Sequence, residues 1–116
     1  MPQKILPERG DVWLADLDLT RGREQAGRHP VLVVSVHAFN QSKAGLVVVI
    51  PLTSTPRGIR WHVGVAPPDG GLKNASFLMS EAVRSISQER LLKRWGSVSL
   101  PIIEEVEDRL RILLNL

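Results

Sequence analysis

Residues 9–36 read RGDVWLADLDLTRGREQAGRHPVLVVSV, and the pattern is strand, polar loop, strand. Val12 to Leu17 mixes β-branched, aromatic and aliphatic residues between turn-forming neighbours, which predicts a strand. Val31 to Val36 is a nearly continuous β-branched run, the composition of a strand covered on both faces. The stretch between them has almost no apolar side chains but carries Arg21, Arg23, Arg28, Glu24, Gln25, His29, Gly22 and Gly27. A loop that buries nothing yet holds this much chemistry reads as a site rather than a spacer.

Working outward, Leu46 to Leu52 (LVVVIPL) is the third strand and the most apolar run of the chain. Pro51 has no N–H for a ladder, so the strand is expected to bulge or leave the sheet there. Thr53 and Ser54 then stand as two hydroxyls at the end of a buried strand. His37 to Ala44 fits a helical turn anchored by Phe39. Ile59 to Val65, Ser76 to Met79, Ala82 to Ile86 and Leu91 to Val98 read as further strands, with a short helical turn over Ser87 to Arg90. The end is helical: Ile102, Ile103, Val106, Leu110, Leu113 and Leu114 recur on one side while Glu104, Glu105, Asp108 and Arg111 occupy the other. Ser99 or Leu100 stands at the cap, and Pro101 in the first turn. Short strands, Gly/Pro turns and one terminal amphipathic helix predict a mainly β, α+β domain, a small strongly bent sheet or barrel with the helix packed on it.

The 116 residues suit a single domain, 1–116, with 43% hydrophobic and 23% charged residues, an ordinary globular balance. A net charge of +3, with the acids concentrated late, favours an anionic partner, nucleic acid ahead of membrane because no basic amphipathic helix is present. Cysteine is absent, so disulfides and thiolate ligands are excluded and a reducing, cytoplasmic setting is expected, as it is from the lack of an apolar leader or membrane span.

Several chemistries fail on spacing. Gly22 and Gly27 are placed as in a phosphate-binding loop, but Arg28-His29 stands where Lys-Ser/Thr is needed and a strand follows in place of a helix. His29, His37 and His62 lack metal-ligand spacing, so no metal and no cofactor is expected. Ser-His-Asp hydrolysis has no G-x-S-x-G elbow. What remains, basic and hydroxyl groups on loops around a barrel, suits a phosphodiester. RNA brings its own nucleophile, the 2′-hydroxyl, and asks only for a base, an acid and positive charge. Arginine forks match phosphate oxygens, histidine moves protons near neutrality, and a threonine hydroxyl can donate to a non-bridging oxygen. Arg57, in the turn after the third strand, adds a candidate phosphate contact. Each of these has a bland alternative: Arg28 and His29 as a solvated loop, Thr53 as a strand residue bonded to backbone, and Glu24 as the partner of a neighbouring arginine. Trp13 and Trp95 are read as packing or a dimer seam, and Trp61 stays open between packing and stacking on RNA.

At these residues the chain resembles the MazF/PemK toxins of bacterial toxin–antitoxin modules. The resemblance rests on RGDVWLADLDLTRGREQAGRHPVLVVS, on VVVIPLTS, on the Glu81-x-x-Arg84-Ser85 segment and on the terminal helix. It implies an SH3-like barrel of the CcdB/PemK type, a homodimer, and a metal-independent, sequence-selective endoribonuclease that cuts single-stranded RNA. It also implies a MazE-like antitoxin whose acidic tail lies across the RNA groove. The family's G-x-E-Q-x-G loop corresponds to Gly22, Arg23, Glu24, Gln25, Ala26 and Gly27, its threonine to Thr53 followed by Ser54, its later acid to Glu81, and the next arginine to Arg84. Two positions depart. The family's catalytic arginine immediately precedes the proline, whereas here His29 does and the arginine is Arg28. Either His29 takes the role by proton transfer, or the loop lets Arg28 reach the phosphate, or cleavage is impaired; a combination of the first two is favoured. Ala82 replaces a glutamine that often follows the acid, which bears on the target sequence. Arg28, His29 and Thr53 are thus the catalytic candidates, and Arg23, Glu24, Gln25, Ser54, Arg57, Glu81 and Arg84 the RNA-binding ones. The alternatives are a non-enzymatic gyrase poison like CcdB and an RNA-binding module without turnover.

Overall fold

The computed structural model describes residues 5–17 and 27–116. Its strands are β1 (Asp11–Asp16), β2 (Arg28–Val33), β3 (Leu46–Thr53), β4 (His62–Val65), β5 (Ser76–Met79), β6 (Arg84–Ser87) and β7 (Leu91–Ser97), and its helices are α1 (His37–Asn40) and α2 (Leu100–Leu114). Every ladder is antiparallel, in the order β4-β5-β3-β2-β1-β7, with β6 also paired to β3. The expected mainly β sheet with a terminal helix is therefore present.

Strand β3 shows why the sheet bends. On one side it pairs with β2 across its middle, from Val31 opposite Pro51 to Val33 opposite Val49. On the other it pairs first with β6, as far as Val49 opposite Arg84, and then with β5, from Leu52 opposite Leu78. Ile50 and Pro51 fall between these two ladders. A proline that cannot donate thus sits where the strand changes partner. The strand neither stops nor leaves the sheet; it belongs to two ladders in succession, and the change of partner is the bend.

The continuous apolar runs are explained by burial on both faces. Val12, Leu32, Ile50 and Leu52 join Val63, Leu78 and Val106 in one core, closed by Ile102, Ile103 and Leu110 of α2. The alternate residues Trp13, Ala15, Val31, Val33, Val47 and Val49 join Leu17 and Ile86 in a second. With a side-chain period of two, the buried apolar residues of β1 to β3 are shared between the two cores. Burial of this kind stabilises by about 25 cal/mol per Å² of apolar surface removed from water.

Two expectations on element bounds are corrected. Strand β2 begins at Arg28, because the antiparallel register continues past Pro30 to pair His29 with Ala15 and Arg28 with Asp16. Arg28 and His29 are therefore strand residues, not loop. The expected strand from Ala82 starts two residues later, because Ser80–Ala82 closes a 3-10 turn through Val83 N–H to the Ser80 carbonyl at 3.2 Å.

Candidate functional site

The β1–β2 hairpin ends in a firm clasp, Leu17 N–H donating to the Gly27 carbonyl at 2.8 Å. Arg23, Glu24 and Gln25 lie outside the described residues. Beyond the clasp, His29 and Pro30 of β2 and Leu52 and Thr53 of β3 form one wall of a cleft of about 700 Å³, with Ser54 and Thr55 continuing its edge. Thr53 Oγ1 accepts the Thr55 N–H at 3.2 Å. This local bond is the bland role expected of a strand-end threonine, but it uses an oxygen lone pair and leaves the hydroxyl proton to donate. His29 and Thr53, far apart in sequence, share a wall because β2 and β3 are hydrogen-bonded neighbours. Arg28 is exposed and shares Pro30's side of the strand by alternation, one pleat beyond the lining residues.

The opposite wall is basic and was missing from the sequence-based candidates. Lys73 and Asn74 from the β4–β5 connection and Lys93, Arg94 and Trp95 from β7 line it. No Asp or Glu is among the described lining residues. Arg94 is held from behind: its Nε lies 3.2 Å from Asp11 Oδ1. The Asp11 carboxylate, buried at the start of β1, also accepts Glu8 N–H at 2.9 Å and Trp13 Nε1–H at 3.3 Å. Removing the carboxylate would leave a buried indole N–H without its acceptor and Arg94 without its guide. The signal available in the sequence was the run Lys93-Arg94-Trp95, basic residues beside an aromatic one.

The remaining candidates stand elsewhere. Arg57 is exposed on the β3–β4 connection, outside the cleft lining. Glu81 and Arg84 also lie outside it; Arg84 opens β6 opposite Val49. Glu81 is bonded to His62, whose Nε2 is 2.9 Å from Glu81 Oε2 and whose side chain is 5% exposed. His62 Nδ1 is buried with no hydrogen-bond partner among the described residues. A lone pair without a donor costs less than an N–H without an acceptor, which assigns the proton to Nε2, donating to Glu81. Of the two tryptophans read as packing or a dimer seam, Trp13 is core, whereas Trp95 is 37% exposed in the cleft wall, which corrects the packing half of its reading. Trp61 is half-buried, with the Arg60 guanidinium 4.8 Å from its ring centroid, so one face already has a cationic partner. Among the described residues no three His, Asp or Glu side chains come together as a metal site, and no described helix is long and apolar enough to cross a membrane.

Comparison with known proteins places this architecture among relatives. Residues 8–114 match the family model described as PemK-like, MazF-like toxin of type II toxin-antitoxin system. Endoribonuclease PemK of Escherichia coli is 38% identical over 110 residues, covering 93% of this chain and 82% of the relative. Endoribonuclease MazF9 of Mycobacterium tuberculosis is 32% identical over 113 residues, covering 93% and 96%. The crystal structure of MazF from Deinococcus radiodurans superposes with a TM-score of 0.86 at 25% identity, over 97% of this chain and all of that one. The same toxin in its MazE-MazF complex gives 0.81 at 25% identity, over 97% and 99%. The bent sheet with its helix is thus the CcdB/PemK-type fold, and this chain belongs to the PemK/MazF family of type II toxin–antitoxin toxins.

Proposed function

We propose that this chain is the toxin of a type II toxin–antitoxin pair, a cytoplasmic, metal-independent endoribonuclease that cleaves single-stranded RNA within the cleft between β2–β3 and β7. The observation that supports it is the meeting of the one histidine, His29, with Thr53 in a cleft that also holds Lys73, Lys93 and Arg94 and has no acid among its described lining residues. His29 takes the proton of a ribose 2′-hydroxyl as the 2′-oxygen attacks the adjacent phosphorus. The P–O5′ bond breaks, the 5′-oxygen leaves as a hydroxyl with a proton from solvent, and a 2′,3′-cyclic phosphate remains. Thr53 donates to a non-bridging oxygen, and Arg28 supplies positive charge as the phosphorane forms. Sharing the work between Arg28 and His29 is the reading favoured for the exchange of residues before Pro30: His29 lines the cleft, and Arg28 precedes it on the same strand.

Ser54 at the cleft edge, Arg57, Glu81 and Arg84 outside its lining, and Arg23, Glu24 and Gln25 of the β1–β2 connection are the proposed contacts to flanking nucleotides. Purified protein is expected to cut a mixed-sequence single-stranded RNA in excess EDTA and to leave 2′,3′-cyclic or 3′-phosphate ends. RNA left intact at high protein excess, with DNA gyrase supercoiling inhibited, would replace this reading by that of a gyrase poison. Intact RNA retarded in a gel would make the chain a binding module instead.

Two partners follow from the same reading. One solved neighbour is an endoribonuclease in complex with its cognate antitoxin, and an acidic antitoxin tail fits a basic cleft by charge. The end of α2 exposes Ile112 at 50%, Leu114 at 54% and Leu116 at 82%, an aliphatic patch suited to a second copy in a homodimer. Sedimentation as a monomer at micromolar concentration would contradict the dimer.

A further inference from the structure

Three consecutive residues of β7, Lys93, Arg94 and Trp95, line one cleft, where strict alternation would turn the middle side chain to the other face. The register gives the cause. Val12 of β1 pairs with Gly96 and Trp13 with Arg94, so Trp95 is the extra residue of a β-bulge. Bulges locally twist a strand and re-aim side chains. From behind, the backbone at Trp95 is fixed by the Gly70-Gly71 corner: a Cβ on Gly71 would lie 2.2 Å from the Trp95 carbonyl oxygen, and one on Gly96 would lie 2.9 Å from Gly71 N. A large aromatic ring is therefore held on a rigid backbone, in contact with solvent, with Lys93, Arg94 and Lys73 beside it.

We infer that Trp95 is a stacking platform for one nucleobase of a single-stranded RNA, with Lys73 and Lys93 holding the phosphates on either side of that base. This rests on the RNA-cleaving reading of the cleft and adds a base subsite on the wall opposite Thr53. A ring stacked on a base needs solvent access and backbone charge neutralised nearby; Trp95 is 37% exposed and shares the cleft with Lys73, Lys93 and Arg94. Trp61 differs in having Arg60 over its ring. Burial elsewhere in the cleft wall is by aliphatic residues such as Leu52 and Leu72, which offer no π face.

The test compares the parent protein, Trp95→Phe and Trp95→Leu for binding to a randomised single-stranded RNA carrying 2′-fluoro groups throughout, and separately for cleavage of ordinary RNA. Stacking predicts that the phenylalanine variant binds within a few-fold of the parent and the leucine variant about tenfold more weakly, with unfolding temperatures alike. The parent-minus-Trp95→Phe emission is expected to be quenched by the RNA. An unquenched difference, or leucine binding as tightly as the parent while the parent still cleaves RNA, overturns the platform and leaves the ribonuclease intact. A leucine variant that falls apart into monomers with unchanged RNA affinity assigns Trp95 to a subunit seam and overturns it too. A parent that neither binds nor cleaves RNA removes both readings.

Discussion

The two walls of the cleft are built on opposite principles. The β2–β3 wall is the regular end of two central strands: His29 pairs with Ala15, Pro51 with Val31, and Thr53 with Phe77, all in unbroken register. The β7 wall is irregular, with register shifts between Val12 and Trp13 and between Leu14 and Ala15. The extra residues at those shifts, Trp95 and Leu92, are the exposed large hydrophobics of that strand. A regular wall places a few groups rigidly for chemistry. A bulged wall turns neighbouring side chains toward one side and gives contact area. Under the proposed function, the reaction belongs to the first wall and grip on the substrate to the second.

The sharpest way to break this division is to truncate the regular wall. Loss of His29 or Thr53 by substitution to alanine is expected to lower the cleavage rate by roughly 10²- to 10⁴-fold, the range for a proton-transfer or charge-stabilising group. RNA affinity should stay within a few-fold, read by single-turnover cleavage beside gel-shift binding. A matched loss of affinity would mean that the two walls do not divide the work.

A smaller effect, on stability rather than chemistry, is expected at the corner behind the other wall. Gly71 has φ +70° and no room for a Cβ, 2.2 Å from the Trp95 carbonyl. Gly71→Ala should therefore cost about 2–4 kcal/mol in urea unfolding, combining backbone strain with overpacking. The same corner braces the helix: Asp69 accepts Ser99 N–H at 2.8 Å and Ser99 Oγ–H at 2.7 Å. Asp69→Ala is expected to cost about 1 kcal/mol by the same measurement, the usual worth of a lost cap contact. If both substitutions were neutral, the corner would not be what stiffens the β7 wall.

The smallest expected change is in Lys73→Gln. It should weaken RNA binding a few-fold at moderate salt, independent of sequence, and reduce the slope of log K against log salt by about one. An unchanged slope would take Lys73 off the phosphate path and leave the second wall to Lys93, Arg94 and Trp95.

The legibility of the sequence followed the same division. The β3 run and α2 were readable because their apolar periodicity is set by burial: Val47 to Ile50 alternates between two cores, and Val106 is the buried residue of the helix. Thr53 and His29 were readable as candidates because each follows or precedes such a run. The start of β2 was misplaced because Arg28 and His29 carry no apolar pattern; their strand character comes from pairing with Asp16 and Ala15, a tertiary fact. The β7 wall was hidden for a related reason. A bulge depends on the register between two strands, and nothing within Leu91 to Ser97 alone reveals which residue is the extra one. Lys73 and Asn74 joined the site only through the glycine corner that docks their loop on β7.

The central claim, that the substrate's own 2′-hydroxyl is the nucleophile, is tested most directly by one atom. Once the cleaved bond in a short RNA has been mapped, its scissile nucleotide is replaced by the 2′-deoxy form and the oligonucleotide is incubated with the protein in EDTA. Binding unchanged and cleavage at that bond abolished is the predicted result. Continued cutting at the same bond would mean that another nucleophile attacks the phosphorus, and would contradict the mechanism assigned to His29 and Thr53.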